Sequence, residues 1–358
     1  MRVLMITGSY PPMKCGVGAY TQRLAQALAE CNNVEVAVLT DSNAIDDSAN
    51  DGVEVFPVIQ KWRLTELLTI NTYLKRFSPD IVHIQYPTQG YSGKMPIFIP
   101  LLVKLLGKHC VQTWHEPSLG KAALVLSFGL DALITVRDDL IMRFSLLTQR
   151  LLKRTSIFLI PAASLLPIST MCDQEKAAIR RGYISDKGTI LVYFGFVAPL
   201  KGIEILLEIV ARTRMSLLMV CDLDQSDAYH RSLLNKIIDL GIVDRVKNIG
   251  FVDNLELSRI VSAADAVVLP FRDGAQYWNT SIDGAVAQGT FVVTTSLVSR
   301  GYDPQRNIFY TRAGDVDTMI TALNSYAGVR IPVTDTSAHW RLIAEKHLKI
   351  YTDVLKAS

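Results

Sequence analysis

Short apolar runs alternate with longer segments of helical period along the chain, and the alternation begins a second time near residue 190. Strands buried on both faces read as continuous apolar runs, and helices connect such strands when they are parallel. The pattern therefore predicts the α/β class, with two Rossmann-like, doubly wound parallel-sheet domains facing each other across a cleft. Strands are predicted at Val3–Thr7, Val34–Thr40, Ile81–Gln85, Val111–His115, Ala132–Val136, Ile157–Pro161, Ile190–Gly195, Leu217–Cys221, Ala266–Pro270 and Phe291–Thr295.

A polar, charged stretch divides the two series of apolar runs. It covers Ser169–Lys187, and it predicts a first domain at 1–170 and a second at 188–335. Residues 336–358 are predicted to form a final helix that packs back on the first domain. Further helices are predicted at Pro96–Gly107, Asp138–Leu152, Gly202–Arg212, Ala228–Leu240, Leu255–Ala264 and Ser281–Gln288.

Composition excludes several classes of protein. Hydrophobic residues make up 49% of the 358, but the longest apolar stretch is too short to span a bilayer. A net charge of +3 is too balanced for a protein whose main partner is nucleic acid. The five cysteines are scattered and form no zinc-binding or disulfide pattern, so we expect a protein of the reducing cytoplasm.

Three strand–loop–helix motifs carry candidate chemistry. In SYPPMKCGVGAY, Gly16, Val17 and Gly18 open a helix, where missing Cβ atoms and free N–H groups suit a phosphate. In FGFVAPLKG, Lys201 follows a strand and precedes a helix, so its ammonium can pair with a ligand phosphate. A bland strand–helix turn is the alternative interpretation of the first motif, and a solvated surface lysine that of the second.

The third motif, DGAQYWNTSIDGAVAQG, joins a strand to a helix through a polar loop. Hydroxyl, amide and carboxylate groups in such a loop suit the hydroxyls of sugars and ribose. Tyr277 and Trp278 could stack on a sugar or simply pack. The candidate polar side chains are Asp273, Gln276, Asn279, Thr280, Ser281 and Asp283.

Together these motifs resemble the family 4 glycosyltransferases, which have the GT-B fold of two Rossmann-like domains. The resemblance extends through DIVHIQYP, TWHEP, LIPAASLLP, IGFVDNLELSRIVSAADAVVLPF and the closing WRLIAEKHLKIYTDVL. It implies transfer of a hexosyl or related sugar, with retention of configuration, from a nucleotide-diphosphate sugar to a saccharide or lipid-linked acceptor. It also implies that no metal or other cofactor takes part, and that the pathway makes a cell-surface polysaccharide or glycoconjugate.

The resemblance also implies roles for individual residues. Lys201 would neutralise the diphosphate as it leaves, and His115 would hydrogen-bond a hydroxyl of the donor sugar, although a satisfied core histidine is the alternative. Gly16 would lie against the donor phosphate, and Val252 belongs to the loop that meets the base. Tyr20, Gln85 and Tyr86 match the acceptor side of the family's site.

Departures from the family pattern fall in the donor site. Phe196 stands where the family usually has an arginine, and Gln276 and Gly284 stand where it has two glutamates eight positions apart. Asp283 or Asp273 could substitute for the glutamate that holds the ribose. A binding or scaffold protein of the same fold with weakened catalysis is therefore an alternative, and an epimerase of similar shape is a third reading.

A metal-dependent transferase is a further alternative. Asp222 and Asp224 follow an apolar run, as in the D-x-D motif of manganese-dependent glycosyltransferases, and carboxylates are ligands that such metals prefer. That motif normally closes the first Rossmann-like half, whereas here it lies inside the second. The position therefore argues against this alternative.

Residues 94–154 combine apolar segments with nine basic and only four acidic residues. Basic amphipathic helices can lie on an anionic bilayer with their apolar faces down. We expect peripheral contact with the inner face of the cytoplasmic membrane, as a lipid-linked acceptor would require. Ordinary core helices with solvated charged faces are the alternative.

Overall fold

A computed structural model describes residues 1–44, 52–116, 121–183, 188–276, 278–298, 300–335 and 337–357. Fourteen strands and twelve α-helices lie in these ranges. The strands are β1 Arg2–Ile6, β2 Glu35–Asp41, β3 Val53–Ile59, β4 Ile81–Tyr86, β5 His109–Trp114, β6 Ala132–Thr135, β7 Ser156–Leu159, β8 Ile190–Phe194, β9 Ser216–Val220, β10 Val246–Asn248, β11 Ala266–Leu269, β12 Val292–Ser296, β13 Gly301–Asp303 and β14 Ile308–Arg312. The helices are α1 Gly16–Ala29, α2 Leu67–Phe77, α3 Ile99–Leu105, α4 Lys121–Leu126, α5 Leu146–Leu152, α6 Asp173–Tyr183, α7 Ile203–Arg212, α8 Ala228–Asp239, α9 Asn254–Ala263, α10 Thr280–Ala287, α11 Val316–Tyr326 and α12 Ser337–Lys356.

The strands form two seven-stranded sheets, which confirms the predicted α/β fold class. The first has the order β3-β2-β1-β4-β5-β6-β7, and the second has the order β10-β9-β8-β11-β12-β14-β13. All pairings are parallel except that of β13 with β14. The strand order reverses between β1 and β4 in the first sheet and between β8 and β11 in the second. Ligands of doubly wound folds bind outside the carboxyl ends of the strands at such a reversal.

The chain divides into two compact units. One contains residues 1–162 together with 337–358, and the other contains residues 163–336. The final helix α12 packs against α1 in the first unit and buries Trp340, Ile343, His347 and Tyr351 there. Its apolar stripe accounts for this position, because a single exposed helix could not cover these side chains.

The units divide earlier in the chain than the polar stretch suggested. Residues 163–183 belong to the second unit, where α6 packs on α9 and the Arg180 guanidinium pairs with the Asp265 carboxylate (Nη1–Oδ1 2.9 Å). The charges of the supposed linker are therefore those of a helix surface and an ion pair. The last part of that linker, residues 184–187, lies outside the described residues.

Several elements differ from the sequence prediction. The segment Asp138–Leu152 is not one helix: a 3₁₀ turn covers Ile141–Arg143, and α5 begins only after Ser145, whose hydroxyl accepts a hydrogen bond from the Thr148 N–H. Serine at this position caps a helix and so interrupts the preceding one. Four strands and four helices were not predicted: β3, β10, β13, β14, α2, α4, α6 and α11.

Candidate functional site

Backbone contacts build the reversal point of the first sheet. The loops after β1 and β4 touch directly, so that a Cβ on Gly90 would lie 1.7 Å from the Gly8 carbonyl oxygen. The Gly90 N–H also donates to the Ser9 hydroxyl (2.8 Å). Only glycine permits this approach. Neither glycine was predicted as a site residue, although each follows a predicted strand closely in the sequence.

The two glycines that open α1 have different environments. Gly16 is exposed in the first turn, where free N–H groups remain for a ligand. Gly18 is buried, and a Cβ there would lie 2.9 Å from the Ser9 carbonyl oxygen. Gly18 therefore lets α1 approach the loop after β1, rather than a ligand approach the helix. Val17 between them is half-buried.

His115 directly follows β5 and is half-buried. Its Nε2 lies 2.9 Å from the Gln85 amide oxygen, and its ring packs edge-on against the Tyr20 ring, with 4.8 Å between centroids. Burial lowers the pKa of His115 to about 3, and the nearby His347 adds to the shift. The imidazole is therefore neutral near pH 7, as a group that hydrogen-bonds a sugar hydroxyl should be.

The three residues expected on the acceptor side lie around His115. Tyr20 and Gln85 are buried, so neither side chain reaches solvent and both contact His115 instead. Tyr86 is half-buried, and its carbonyl oxygen accepts the His115 N–H (2.9 Å).

Lys201 ends a 3₁₀ turn after β8 in the second unit. Its Nζ lies 4.8 Å from the centroid of the Phe271 ring. Phe271 comes two residues after the end of β11. Gly202 has φ 68°, and a Cβ there would lie 2.1 Å from the Pro270 carbonyl oxygen. The loops that follow the two strands at the reversal point therefore hold each other, and they place Lys201 at the carboxyl ends of the strands.

Arg272, which the sequence did not point to, contacts the Lys201 loop through its backbone. Its N–H donates to the Leu200 carbonyl (3.0 Å), and its guanidinium pairs with Glu204 (Nε–Oε1 2.7 Å), which also accepts the Tyr229 hydroxyl. Partial burial would raise the pKa of Glu204, but these bonds outweigh burial and hold the pKa below its ordinary value. Phe196 has an exposed fraction of 51% and offers no charge.

His230 bridges two loops of the second unit. Its Nδ1 accepts the Asp224 N–H (2.9 Å), so its Nε2 carries the proton and donates to the Val197 carbonyl (3.3 Å). The bridge joins the Lys201 loop to the loop after β9. Its two partners are backbone groups, which no sequence pattern predicts.

Asp222 and Asp224 both bond to the backbone. The Asp222 carboxylate accepts the Phe251 N–H (Oδ1–N 3.2 Å), and that of Asp224 accepts the Ser226 N–H (2.8 Å). Among the described residues no three histidine, cysteine or acidic side chains are grouped as metal ligands. Phe251 is half exposed and Val252 half-buried beside it.

The polar loop before α10 is partly closed on itself. The Gln276 N–H donates to the Asn279 side-chain oxygen (2.7 Å), and the Asn279 N–H returns to the Gln276 carbonyl (2.9 Å). Thr280 and Ser281 are half-buried in the first turn of α10, and Asp273 is exposed. Tyr277 lies outside the described residues.

Asp283 and Gly284 lie on α10 in settings that the sequence did not indicate. The Asp283 carboxylate accepts a hydrogen bond from the Arg306 guanidinium (Oδ1–Nη2 2.7 Å), so it already has a cationic partner. Gly284 is buried, and a Cβ there would lie 3.0 Å from a methyl carbon of Leu166. Leu166 thus occupies the space next to Gly284 that a larger side chain would need.

No helix of the described residues combines the length and the apolarity that crossing a bilayer requires. The five cysteines are free thiols.

Comparisons with known proteins bear on this arrangement. Residues 15–181 match the model of a family described as "Glycosyl transferase 4-like domain". No curated protein matches the chain. The predicted resemblance to family 4 glycosyltransferases is therefore confirmed for this domain.

Solved structures match the chain along nearly its whole length. Sucrose-phosphate synthase from Thermosynechococcus elongatus has a TM-score of 0.71 at 18% identity, with all of both chains covered. Anabaena HepE in complex with UDP and glucose has a TM-score of 0.67 at 15% identity, covering 100% of this chain and 99% of the other. Starch Synthase IV from Arabidopsis thaliana, bound to ADP and acarbose, has a TM-score of 0.70 at 13% identity, covering 99% of each chain. At these identities the likeness shows the fold, which is the GT-B fold of glycosyltransferases.

Proposed function

We propose that this protein is a retaining glycosyltransferase that moves a hexosyl or related sugar from a nucleotide-diphosphate sugar to a saccharide or lipid-linked acceptor. The observation that carries the proposal is the position of Lys201 at the reversal point of the second sheet, where backbone contact between Gly202 and Pro270 fixes the loop. A cation held before the reaction stabilises charge that develops on a leaving group. The glycosyl transferase 4-like domain at residues 15–181 supports the same reaction class.

The donor diphosphate is proposed to meet Lys201. Phe196 provides no positive charge, and the Arg272 guanidinium is already paired with Glu204. Gly16, at the start of α1, offers free N–H groups to a phosphate. Phe251 and Val252 are proposed to meet the base, since half-exposed apolar groups suit its faces.

The ribose and the sugar need hydroxyl partners. Asp273 is the exposed carboxylate of the polar loop, and Gln276, Thr280 and Ser281 lie near it in sequence. Because Asp283 is already paired with Arg306, Asp273 is the better candidate for the ribose. His115 is proposed to hydrogen-bond a hydroxyl of the donor sugar, because its ring is neutral and half-buried.

Nucleotide sugars are expected to stabilise the folded protein. A ligand present at 100 times its Kd stabilises the native state by about 2.7 kcal/mol. We expect a rise in melting temperature with one base among UDP-, GDP- and ADP-sugars, followed by transfer or hydrolysis with that donor. Melting curves and a product assay measure the two effects.

The outcomes separate the alternatives. Binding without turnover favours a nucleotide-binding protein with weakened catalysis, and binding of no nucleotide by the folded protein contradicts the proposal. Turnover that EDTA abolishes, and that Asp222→Ala also abolishes, favours the metal-dependent alternative.

A membrane surface is proposed on the first unit, formed by the exposed side chains of residues 142–154. Met142 and Leu146 have exposed fractions of 83% and 74%, and Leu147 is exposed beside them. On α5 and just beyond it lie Arg150, Lys153 and Arg154, all exposed and without an ion pair to the described residues. Apolar side chains interspersed with cations fit an anionic bilayer.

Binding to anionic vesicles tests this surface. Each Lys or Arg near an anionic surface contributes about 1 kcal/mol, so the double variant Arg150→Gln, Lys153→Gln is expected to weaken binding roughly 30-fold. Co-sedimentation with phosphatidylglycerol vesicles at low salt measures the loss, and phosphatidylcholine vesicles serve as the uncharged reference.

The apolar part of the surface has its own control. Leu146→Asp is expected to reduce vesicle binding, whereas Leu68→Asp, at an equally exposed leucine on α2, is expected to leave it unchanged. Equal effects of the two variants, or no binding by the unmodified protein, contradict a membrane role for this surface.

A further inference from the structure

A chain of buried polar side chains joins the final helix to His115 within the first unit. The Tyr351 hydroxyl of α12 lies 2.6 Å from His83 Nδ1. His83 Nε2 lies 2.8 Å from the Thr113 hydroxyl and 3.3 Å from the Gln85 amide nitrogen. The Gln85 amide oxygen in turn lies 2.9 Å from His115 Nε2. Gln85 therefore bridges two histidines.

Strand geometry brings these side chains together. His83 and Gln85 are two residues apart on β4, so their side chains lie on one face of the sheet. On β5, Thr113 is the register partner of Gln85 and projects to the same face, and His115 follows two residues later. The face is covered by α1 and α12, which contribute Tyr20, His347 and Tyr351.

Both bridged histidines are neutral. Burial lowers the pKa of His83 well below its ordinary value, and the neighbouring His347 and His115 lower it further. Burial lowers the pKa of His115 to about 3 and that of His347 to about 4. A neutral imidazole carries one ring proton, so each ring must be in one of two tautomers.

The amide determines which tautomer His115 adopts. An amide nitrogen only donates and an amide oxygen only accepts. The Gln85 nitrogen therefore donates to His83 Nε2, and the Gln85 oxygen accepts a proton from His115 Nε2. With the proton on Nε2, His115 Nδ1 has a lone pair, and it makes no hydrogen bond to the described residues.

We propose that Gln85 is a positioning residue that fixes His115 in its Nε2–H tautomer, so that Nδ1 is offered as a hydrogen-bond acceptor. This inference rests on the proposed function: the hydrogen-bond donor to Nδ1 is a hydroxyl of the donor sugar. A donor sugar with fluorine in place of that hydroxyl has no proton to donate to Nδ1, so we expect the protein to bind it more weakly. Gln85, expected on the acceptor side, thus acts through His115 rather than on the acceptor.

Nitrogen NMR of the protein labelled with ¹⁵N-histidine tests the tautomer directly. The chain has six histidines, and His115→Asn identifies the signals of His115. In the unmodified protein we expect a protonated-nitrogen shift for His115 Nε2 and an unprotonated one for Nδ1. The opposite assignment overturns the proposal.

Two substitutions separate tautomer control from packing. Gln85→Met removes the bridge, and averaged shifts from both tautomers are expected. Gln85→Glu keeps an acceptor at the same place, so Nε2 is expected to keep its proton. The matched control is Gln112→Met, since Gln112 is equally buried but bonds to the Leu126 carbonyl and Trp114. An unchanged His115 spectrum in Gln85→Met overturns the proposal, even where the fold is intact.

Turnover supplies a second measurement. Misplacement of a catalytic contact costs on the order of 10²-fold in rate, so Gln85→Met is expected to lower kcat by that order while Gln112→Met leaves it near its original value. If the unmodified protein turns over no nucleotide sugar, the proposed function fails, and the NMR result still decides the role of Gln85.

Discussion

Lys201→Ala is expected to lower kcat by about 10²–10³-fold, the usual effect of removing one preorganised group that stabilises charge in the transition state. The Nζ lies at the carboxyl ends of β8 and β11, beside Phe271, where the diphosphate is proposed to lie. Because the lysine is half-buried at a loop surface, its loss should barely change the free energy of unfolding. Initial rates with the donor found by melting curves measure the effect.

Lys247→Ala is the matched control. Lys247 is exposed in the same unit, and its Nζ also lies near an aromatic ring, 5.8 Å from the Tyr183 centroid. This variant removes one positive charge, as Lys201→Ala does, but from the edge strand β10 rather than from the loop after β8. We therefore expect it to keep its turnover within about twofold. Equal kcat values for the two variants would contradict the role of Lys201 in stabilising the leaving group.

Gly202→Ala is expected to destabilise the protein by roughly 2–5 kcal/mol. The left-handed backbone at φ 68° costs about 1–2 kcal/mol for a residue with a Cβ, and the approach of the Pro270 carbonyl adds an overpacking cost of about 1–3 kcal/mol. Urea unfolding, read as the shift of the midpoint, measures the difference. Donor binding should fall as well, because the loop that holds Lys201 must move.

Gly241→Ala separates backbone strain from overpacking. Gly241 has φ 64°, almost the same conformation, but a Cβ there meets no atom within 4 Å. Both glycines lie in the second unit, so their unfolding transitions can be compared directly. We expect the control to lose only about 1–2 kcal/mol. Equal midpoints for the two variants would mean that contact with Pro270 does not hold the loop.

Much of the fold was predictable because its signals are local. Buried parallel strands such as β1, β8 and β11 are continuous apolar runs, and they were predicted to within one residue at each end. β10 and β13 were not predicted, because each has only three residues and lies at a sheet edge, where no apolar run is needed. Ser145 interrupts the helix predicted at Asp138–Leu152, because its hydroxyl caps the start of α5. Hydrophobic periodicity does not reveal such a hydrogen bond.

The candidate site was predictable in part. Lys201 lies where the strand–loop–helix motif placed it, at the carboxyl ends of the second sheet. Gly18 and Gly284 were assigned from sequence to donor contacts or signature positions, but each faces protein atoms, Ser9 in one case and Leu166 in the other. Such contacts join residues that are distant or unrelated in sequence, so no local pattern carries them.

The sequence by itself determined the fold class, the order of the motifs and the position of the lysine, because hydrophobic period and strand–helix junctions are properties of neighbouring residues. Only the tertiary structure decided what each polar group touches. It pairs Asp283 with Arg306 and Arg272 with Glu204, and it places Gln85 between His83 and His115. The physical reason is that hydrogen bonds depend on strand register and on helix packing to within a few tenths of an ångström, and these are set by the whole fold.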